Sequence, residues 1–506
     1  MNNEKQIKPF FTLLFTLIVM CILCVIMFVF PSDGLKLGAT TIQFPTFNDF
    51  FIPQNAITDS LESLEKDMEE LFDSTVVMSE IDSAIIKHKL DSLNKFRKSI
   101  QLEDNAKPAL HRFFDALDNA KNKKVRIMHY GDSQIEADRI TSYFRNELQV
   151  KFGGNGVGLF DVNQVAPKMS VNIEFSENWL RFSGFGKKDS SITHNKYGPL
   201  MAFSRYSPIP SSSIIPDSIQ HNAWITLRKP KASYGKTKTY SLLKIFLSNH
   251  YKPIHYDIVA DGNILKSGTI AANTPFQVLE TSFANTPEEI SIMFSGADSP
   301  DIYGISLEGH SGVVVDNIPL RGSSGTLFTK QNQTLLSNSF ANLSPNLIIL
   351  EFGGNVVPYV KDEQGCIDFG NWFKSQIYFL KKLNPNAAFI VIGPGDMSIK
   401  EKTDYVTYPL LENVRDALKD AALSTGCLFW DMYEVMGGKN SMPTWVEADP
   451  PLAASDYIHF SPKGAKKIAE EFTKKLLKMY DEYKNPAKAK EVVTIEKTDT
   501  IVADEL

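Results

Sequence analysis

The stretch Lys124-Val-Arg-Ile-Met-His-Tyr-Gly-Asp-Ser-Gln134 decides how this chain is to be folded. An apolar, β-prone run ends in a tight glycine turn that delivers Asp132 and Ser133. Gly131 lets the backbone bend sharply, and the apolar spacing over 135–150 predicts that a helix follows. Ser133 would then open that helix, whose free N–H groups favour a developing anion. A serine so placed can act as a nucleophile, or merely cap the helix. Glu136 and Asp138, in the expected first turn, read as partners of the helix dipole.

The same alternation returns beyond Gly312. Strands are predicted over 313–315, 347–352, 388–392 and 427–431, and helices over 326–341, 369–383, 406–423 and 462–480; a further helix over 108–120 leads into the first strand. Short, wholly apolar strands between amphipathic helices imply a doubly wound, flavodoxin-like parallel sheet covered on both faces. Between its first strand–helix unit and the rest, residues 171–307 change texture. Short aromatic and β-branched runs are broken by turn residues, and Asp261-Gly262 marks a hairpin tip. Helical periodicity is nearly absent there, so an all-β sandwich is inserted into the α/β domain.

The ends are different again. Residues 10–30 form a largely apolar run long enough to cross a bilayer, preceded by Lys5 and Lys8, which favours a cytoplasmic N-terminus and export of everything after it. A cleaved signal peptide, and hence secretion, is the rival reading. The predicted organisation is a cytoplasmic segment 1–9, an anchor or signal 10–30, a linker and amphipathic helical stalk 31–107, an α/β domain over 108–165 and 311–484, the β-sandwich 166–310, and a disordered tail 485–506. The 53 Lys+Arg against 59 Asp+Glu leave a net charge of -6 without a long basic stripe, which argues against nucleic acid as a partner. Cys21 and Cys24 lie in the apolar run; Cys366 and Cys427 remain, as separate buried thiols or as a pair. No Cys/His cluster suggests a metal, and no cofactor is expected. Gly153-Gly-Asn-Gly-Val-Gly158 follows a helix instead of linking a strand to one, so it reads as a flexible loop at the cleft and not as a phosphate cradle.

In a doubly wound sheet, ligands sit beyond the carboxyl ends of the strands. Ser133 follows the first strand. Asp316-Asn-Ile-Pro-Leu-Arg-Gly322-Ser-Ser-Gly325 follows the second, a small-residue loop able to offer N–H groups. Gly353-Gly-Asn355 places an amide at the third strand end, and Gly393-Pro-Gly-Asp396 lies at the fourth. Before the last helix, Asp456-Tyr-Ile-His459-Phe-Ser461-Pro-Lys-Gly464 spaces a carboxylate to orient a histidine. Each piece alone has a plainer use, in a cap or a turn.

Taken together and in this order, these pieces resemble the four blocks of the SGNH/GDSL hydrolase superfamily, over residues 124–160 and 312–482. Gln134 stands where the block has Leu, a substitution expected to be harmless, and Val356 replaces the Asp that follows the block's Asn. The resemblance implies Ser133 as nucleophile, His459 as general base and acid, and Asp456 as its partner. The Ser133 and Gly322 N–H groups and the Asn355 side chain would hold the oxyanion. It also implies an ester hydrolase working through an acyl-enzyme, and the inserted sandwich looks like the carbohydrate-binding-module-like insert of enzymes acting on O-acetylated peptidoglycan. The expected substrate is therefore an O-acylated, foremost O-acetylated, cell-envelope or extracellular glycan. An O-acetyltransferase using the same acyl-enzyme, and a non-catalytic glycan-binding scaffold, are the alternatives.

Overall fold

Lys124–Gly131 divides its buried side chains between two layers, with Val125 and Ile127 on one side and Met128 and Tyr130 on the other. Leu347 and Ile349 are likewise opposed to Ile348 and Leu350 along Pro345–Glu351. A strand apolar on both faces must lie inside a covered sheet, and the computed structural model, which describes residues 35–37, 40–42 and 80–486, places both there.

The chain divides into two compact units, 1–94 and 95–506. In the first, Leu35–Leu37 pairs antiparallel with Thr40–Ile42, and a helix, Glu80–Arg97, begins within the expected stalk. The expected membrane segment 10–30, most of the stalk and the tail beyond 486 lie outside the described residues. Among the described residues no helix is long and apolar enough to cross a membrane.

In the second unit the central sheet comprises β1 (Ile100–Gln101), β2 (Lys124–Gly131), β3 (Gly312–Pro319), β4 (Pro345–Glu351), β5 (Ala388–Ile392) and β6 (Leu428–Trp430), in the spatial order β3-β2-β4-β5-β6-β1. Only β1 runs antiparallel. It falls in the expected stalk region, and two residues carry no periodicity from which to find it. The chain order reverses around β2, so the cleft opens at its carboxyl end. Phe113, Phe144 and Phe472, from the helices Lys107–Asp118, Thr141–Phe152 and Pro462–Lys484, cover one face of the sheet. Phe340, Phe373 and Leu418, from Gln333–Leu343, Glu363–Leu383 and Leu411–Ser424, belong to the core on the other.

Between β2 and β3 lie two antiparallel sheets, one of six strands and one of five. Gly158–Phe160 already belongs to the six-stranded sheet, paired with Asp301–Glu308. Ile245 and Ile305 face the five-stranded sheet, whereas Phe246 and Tyr303 join the core that holds Met128 and Tyr130 of β2. The insert is thus not a bead on a string: its inner sheet is buried on both faces. Charge ties it down as well. Arg126 of β2 donates to both oxygens of Asp316 on β3, at 2.7 and 2.8 Å, and also to Glu308 of the sandwich strand. Lys124 reaches the same Glu308. Burial opposes the Glu308 charge, but Arg126 and Lys124 outweigh it and hold its pKa down at about 2.

Several local expectations are corrected. The glycine segment after Phe152 is no loose cleft loop: Gly154 packs backbone to backbone against Gly312, where a Cβ would come within 2.3 Å of the Val313 nitrogen. The expected helix over 406–423 starts later, at Leu411, because Asp404–Thr407 pairs with Ser398–Glu401 as a hairpin. The helix expected from 326 starts at Gln333, after a short 3-10 turn at Phe328–Lys330. Cys366 and Cys427 are both buried and free.

Breaking a buried ion pair by removing one partner costs about 3–5 kcal/mol. Arg126→Leu is therefore expected to unfold at markedly lower urea concentration than wild type. The Glu308 carboxyl ordinarily titrates near 4.5 and is held at about 2 in the folded protein. Its stabilising contribution is present above pH 4.5 and lost as pH falls toward 2. The fall in wild-type stability across that window should be shallower in the variant. An unchanged urea midpoint for Arg126→Leu would contradict this account.

Candidate active site

The ends of β2, β3 and β4 are laced together by main-chain bonds. Leu320 N–H donates to the Gly131 carbonyl at 2.7 Å, and Asp132 N–H to the Glu351 carbonyl at 3.2 Å. Beneath them runs a buried polar ladder: Glu351 to His129 at 2.9 Å, His129 to Thr141 at 3.1 Å, and Asn317 donating to Thr141 at 2.8 Å and to the Ile135 carbonyl at 2.9 Å. The chain leaving β2 is pinned from below before it reaches the cleft.

Ser133 does not open the long helix. It opens a 3-10 turn, Ser133–Asp138, capped by the Asp132 carboxylate accepting from Gln134 N–H at 2.9 Å. Ala137 and Asp138 then take left-handed φ of 55° and 65°, and the helix resumes at Thr141. Such strain costs about 1–3 kcal/mol per residue and persists only where the surroundings enforce it. Here they do: Arg145 holds Asp138 at 2.6 and 3.0 Å in a buried pair. Glu136, itself buried, is held by Arg321 at 2.5 and 2.8 Å. Both acids are ion-pair partners instead of the helix-dipole residues the spacing suggested.

Ser133 Oγ lies 2.8 Å from His459 Nε2, and His459 Nδ1 lies 2.7 Å from Asp456 Oδ2. Asp456 also accepts from the N–H groups of Ile458 and His459, both at 3.0 Å. Burial works against its charge, yet these donors and the imidazole hold the carboxyl below its ordinary range. The charged form that would stabilise an imidazolium is therefore the favoured one. Ser461 caps the closing helix through Gly464 N–H at 3.2 Å, and a Cβ on Gly464 would come within 1.8 Å of the Leu452 carbonyl oxygen. That close approach anchors the loop carrying Asp456 and His459.

A cavity of about 170 Å³ brings Ser133, His459 and Asn355 together with Gly354, Gly395 and Asp396. Gly322 is not on its wall. This glycine sits on the loop after β3, φ +75°, and lines the neighbouring groove. The Asn355 amide points to Asp132 Oδ2 at 3.0 Å and to the Ser323 carbonyl at 3.3 Å. Asp132 is thus more than a turn residue: it also holds the Asn355 amide. Burial, with Glu351 adding its charge, pushes the Asp132 pKa up to about 7 despite the bonds from Gln134 and Asn355. Val356, in place of the expected Asp, is buried in the core.

A solved structure described as a peptidoglycan O-acetylesterase in action aligns over 74% of this chain and 96% of its own, at 21% identity and a TM-score of 0.55. At that identity the likeness is one of fold, which the chain shares with that structure. A family two carbohydrate esterase from Clostridium thermocellum aligns over 59% of this chain and 98% of its own, at 10% identity and a TM-score of 0.24. A GDSL-like lipase from Parabacteroides merdae aligns over 32% and 73%, at 12% identity and a TM-score of 0.25. No protein-family model and no curated protein matches the sequence.

Gln134, where the SGNH block has Leu, makes two long-range hydrogen bonds. Its amide nitrogen donates to the Ile458 carbonyl at 2.7 Å and its amide oxygen accepts from Phe460 N–H at 3.4 Å. One side chain thus clamps the backbone on both sides of His459. The hairpin after β5 adds a second brace, with Tyr405 stacked on Tyr457 at 3.5 Å between ring centroids. Neither was foreseen. The only sequence signal for the clamp is an amide beside Ser133, with its partner more than three hundred positions away.

Leucine fits the SGNH block but offers neither hydrogen bond. With each such bond contributing about 1 kcal/mol, Gln134→Leu should lower kcat on a small acetyl ester roughly five- to thirtyfold, with KM and folding little changed. Wild-type kcat in that variant would show that the clamp does not position His459.

Proposed function

We propose that this protein is an exported serine esterase that removes O-acyl groups, foremost O-acetyl, from a cell-envelope or extracellular glycan. The unbroken hydrogen-bonded chain Ser133–His459–Asp456 carries the reading. Ser133 Oγ attacks the ester carbonyl while His459 Nε2 takes its proton, and Asp456 stabilises the imidazolium. His459 then protonates the departing sugar hydroxyl. Water, deprotonated by His459, attacks the acyl-enzyme and releases the acid.

Ser133, as the first residue of its turn, has an N–H outside the turn's own hydrogen bonds. That N–H, the Gly322 N–H and the Asn355 amide are the proposed oxyanion donors. The longer of the two Asn355 bonds, 3.3 Å to the Ser323 carbonyl, is the one the oxyanion would replace.

Two observations support a glycan. The fold neighbour is described as a peptidoglycan O-acetylesterase. In this chain a cavity of about 480 Å³ adjoins the Ser133 cavity through Asn355 and Tyr359, and it carries the exposed rings of Tyr359 and Trp372. Such flat amphipathic rings suit a sugar face. The apolar run 10–30, with its basic flank, would hold the catalytic unit outside the membrane.

Wild type is expected to release acetate from a chromogenic acetyl ester, and Ser133→Ala to fall to the uncatalysed rate. If wild type is no faster than Ser133→Ala, the esterase assignment fails. Asn355→Ala should lose about 10²–10³ in kcat, as removal of one oxyanion donor does elsewhere, while its thermal unfolding stays close to wild type.

A further inference from the structure

A second groove, about 520 Å³ in volume, runs along the seam between the sandwich and the α/β domain. Arg181 and Lys188 stand on the sandwich side, Arg321 and Lys330 on the other, and no Asp or Glu lines it. In a chain of net charge -6 this is a local reversal of sign. Arg321 is gripped from one side by Glu136 through Nε and Nη2, which leaves Nη1 without a partner among the described residues. Arg181 is held by Asp161 through Nε at 2.6 Å. Both guanidinium groups are therefore held in place and already neutralised. Lys188 rests over the Tyr197 ring at 5.4 Å, and neither it nor Lys330 has a carboxylate partner among the described residues. The excess positive charge of the groove comes from these two lysines.

The groove is continuous with the proposed site. Ser324 and Thr326 line both it and the aromatic cavity, which shares Asn355 and Tyr359 with the Ser133 cavity. A chain of sugars with its ester at Ser133 would pass the Tyr359 and Trp372 rings and enter the groove beyond them.

We infer that this groove is a subsite for a carboxylate-bearing sugar, so that the preferred substrate is an acidic glycan and not a neutral one. The inference rests on the esterase reading and deepens it. Lys188 and Lys330 supply the charge; Nη1 of the oriented Arg321 guanidinium offers a hydrogen bond to the carboxylate. The carboxylate can belong to a uronic acid or to a lactyl ether and its attached peptide, and the substrate panel separates these sources.

The test uses the full-length protein and the double variant Lys188→Gln/Lys330→Gln, both changes lying on exposed side chains. Substrates are O-acetylated oligosaccharides of similar length: a neutral xylo-oligosaccharide, one containing glucuronic acid, and a muramoyl oligosaccharide. At least one acidic substrate should show a lower KM than the neutral one in wild type. The double variant should raise that KM about tenfold, since hydrogen bonds to charged groups carry roughly that weight. It should leave kcat, and hydrolysis of p-nitrophenyl acetate, unchanged. Raised salt should mimic the variant. Equal KM for neutral and acidic substrates in wild type, or an unaltered acidic KM in the variant, overturns the subsite. Calorimetric titration of the deacetylated oligosaccharides into Ser133→Ala reads the groove independently of turnover. Preferential binding of an acidic one there, together with inactivity of wild type on every ester, would sink the esterase reading and leave the subsite standing.

Discussion

A guanidinium sealed from water must be answered by carboxylates, and Arg126 of β2 is answered by Asp316 of β3 and Glu308 of the sandwich. That requirement fixes the insert against the parallel sheet. The same Asp316 also accepts from Leu159 N–H at 2.8 Å, on the first strand of the insert. Apolar burial of Phe246 and Tyr303 on the β2 side adds the bulk of the attraction. It is non-directional, whereas the ion cluster sets register. The seam between the two layers, with its groove, therefore has a defined shape instead of being a hinge between independent modules.

A second constraint operates at the strand ends. Ser133 must project from a turn that the backbone would not adopt unaided, since Ala137 and Asp138 are left-handed without being glycine. The Asp138–Arg145 pair and the His129–Glu351 ladder hold that turn from two sides. Asp132 bears part of the cost: buried close to Glu351, it is the carboxyl most displaced toward neutrality at the site, with a pKa of about 7. Rigidity below the serine and a clamp over the histidine serve one end. Ser133 and His459, placed on different segments, keep their 2.8 Å spacing only if both segments are immobilised.

Much of the architecture was legible. Strands such as Leu347 to Leu350 carry apolar residues at every position, so both the parallel sheet and its two covering layers followed from β-strand geometry alone. In the insert, short aromatic and β-branched runs broken by turn residues marked a sandwich, and Asp261-Gly262 marked its hairpin. Less legible were the two-residue β1 and the hairpin over Ser398–Glu401 and Asp404–Thr407, because such short elements fit any local pattern. The contacts of Gln134 were hidden for another cause: its hydrogen bonds run to Ile458 and Phe460, and nothing local to it reveals them.

The sequence by itself placed Ser133, Gly322 and Asn355 after successive strands and His459 before the last helix, and the order of these blocks carried the resemblance that implies ester chemistry, all without knowledge of a single contact. Only the tertiary structure decided how far they converge. It brought Ser133, His459 and Asp456 into one hydrogen-bonded line, engaged Asn355 with Asp132, and set Gly322 on the wall of the adjoining groove. The reason is physical: local propensity acts over a few residues, whereas the site is closed by pairs separated by 326 positions, whose meeting depends on packing across the whole sheet.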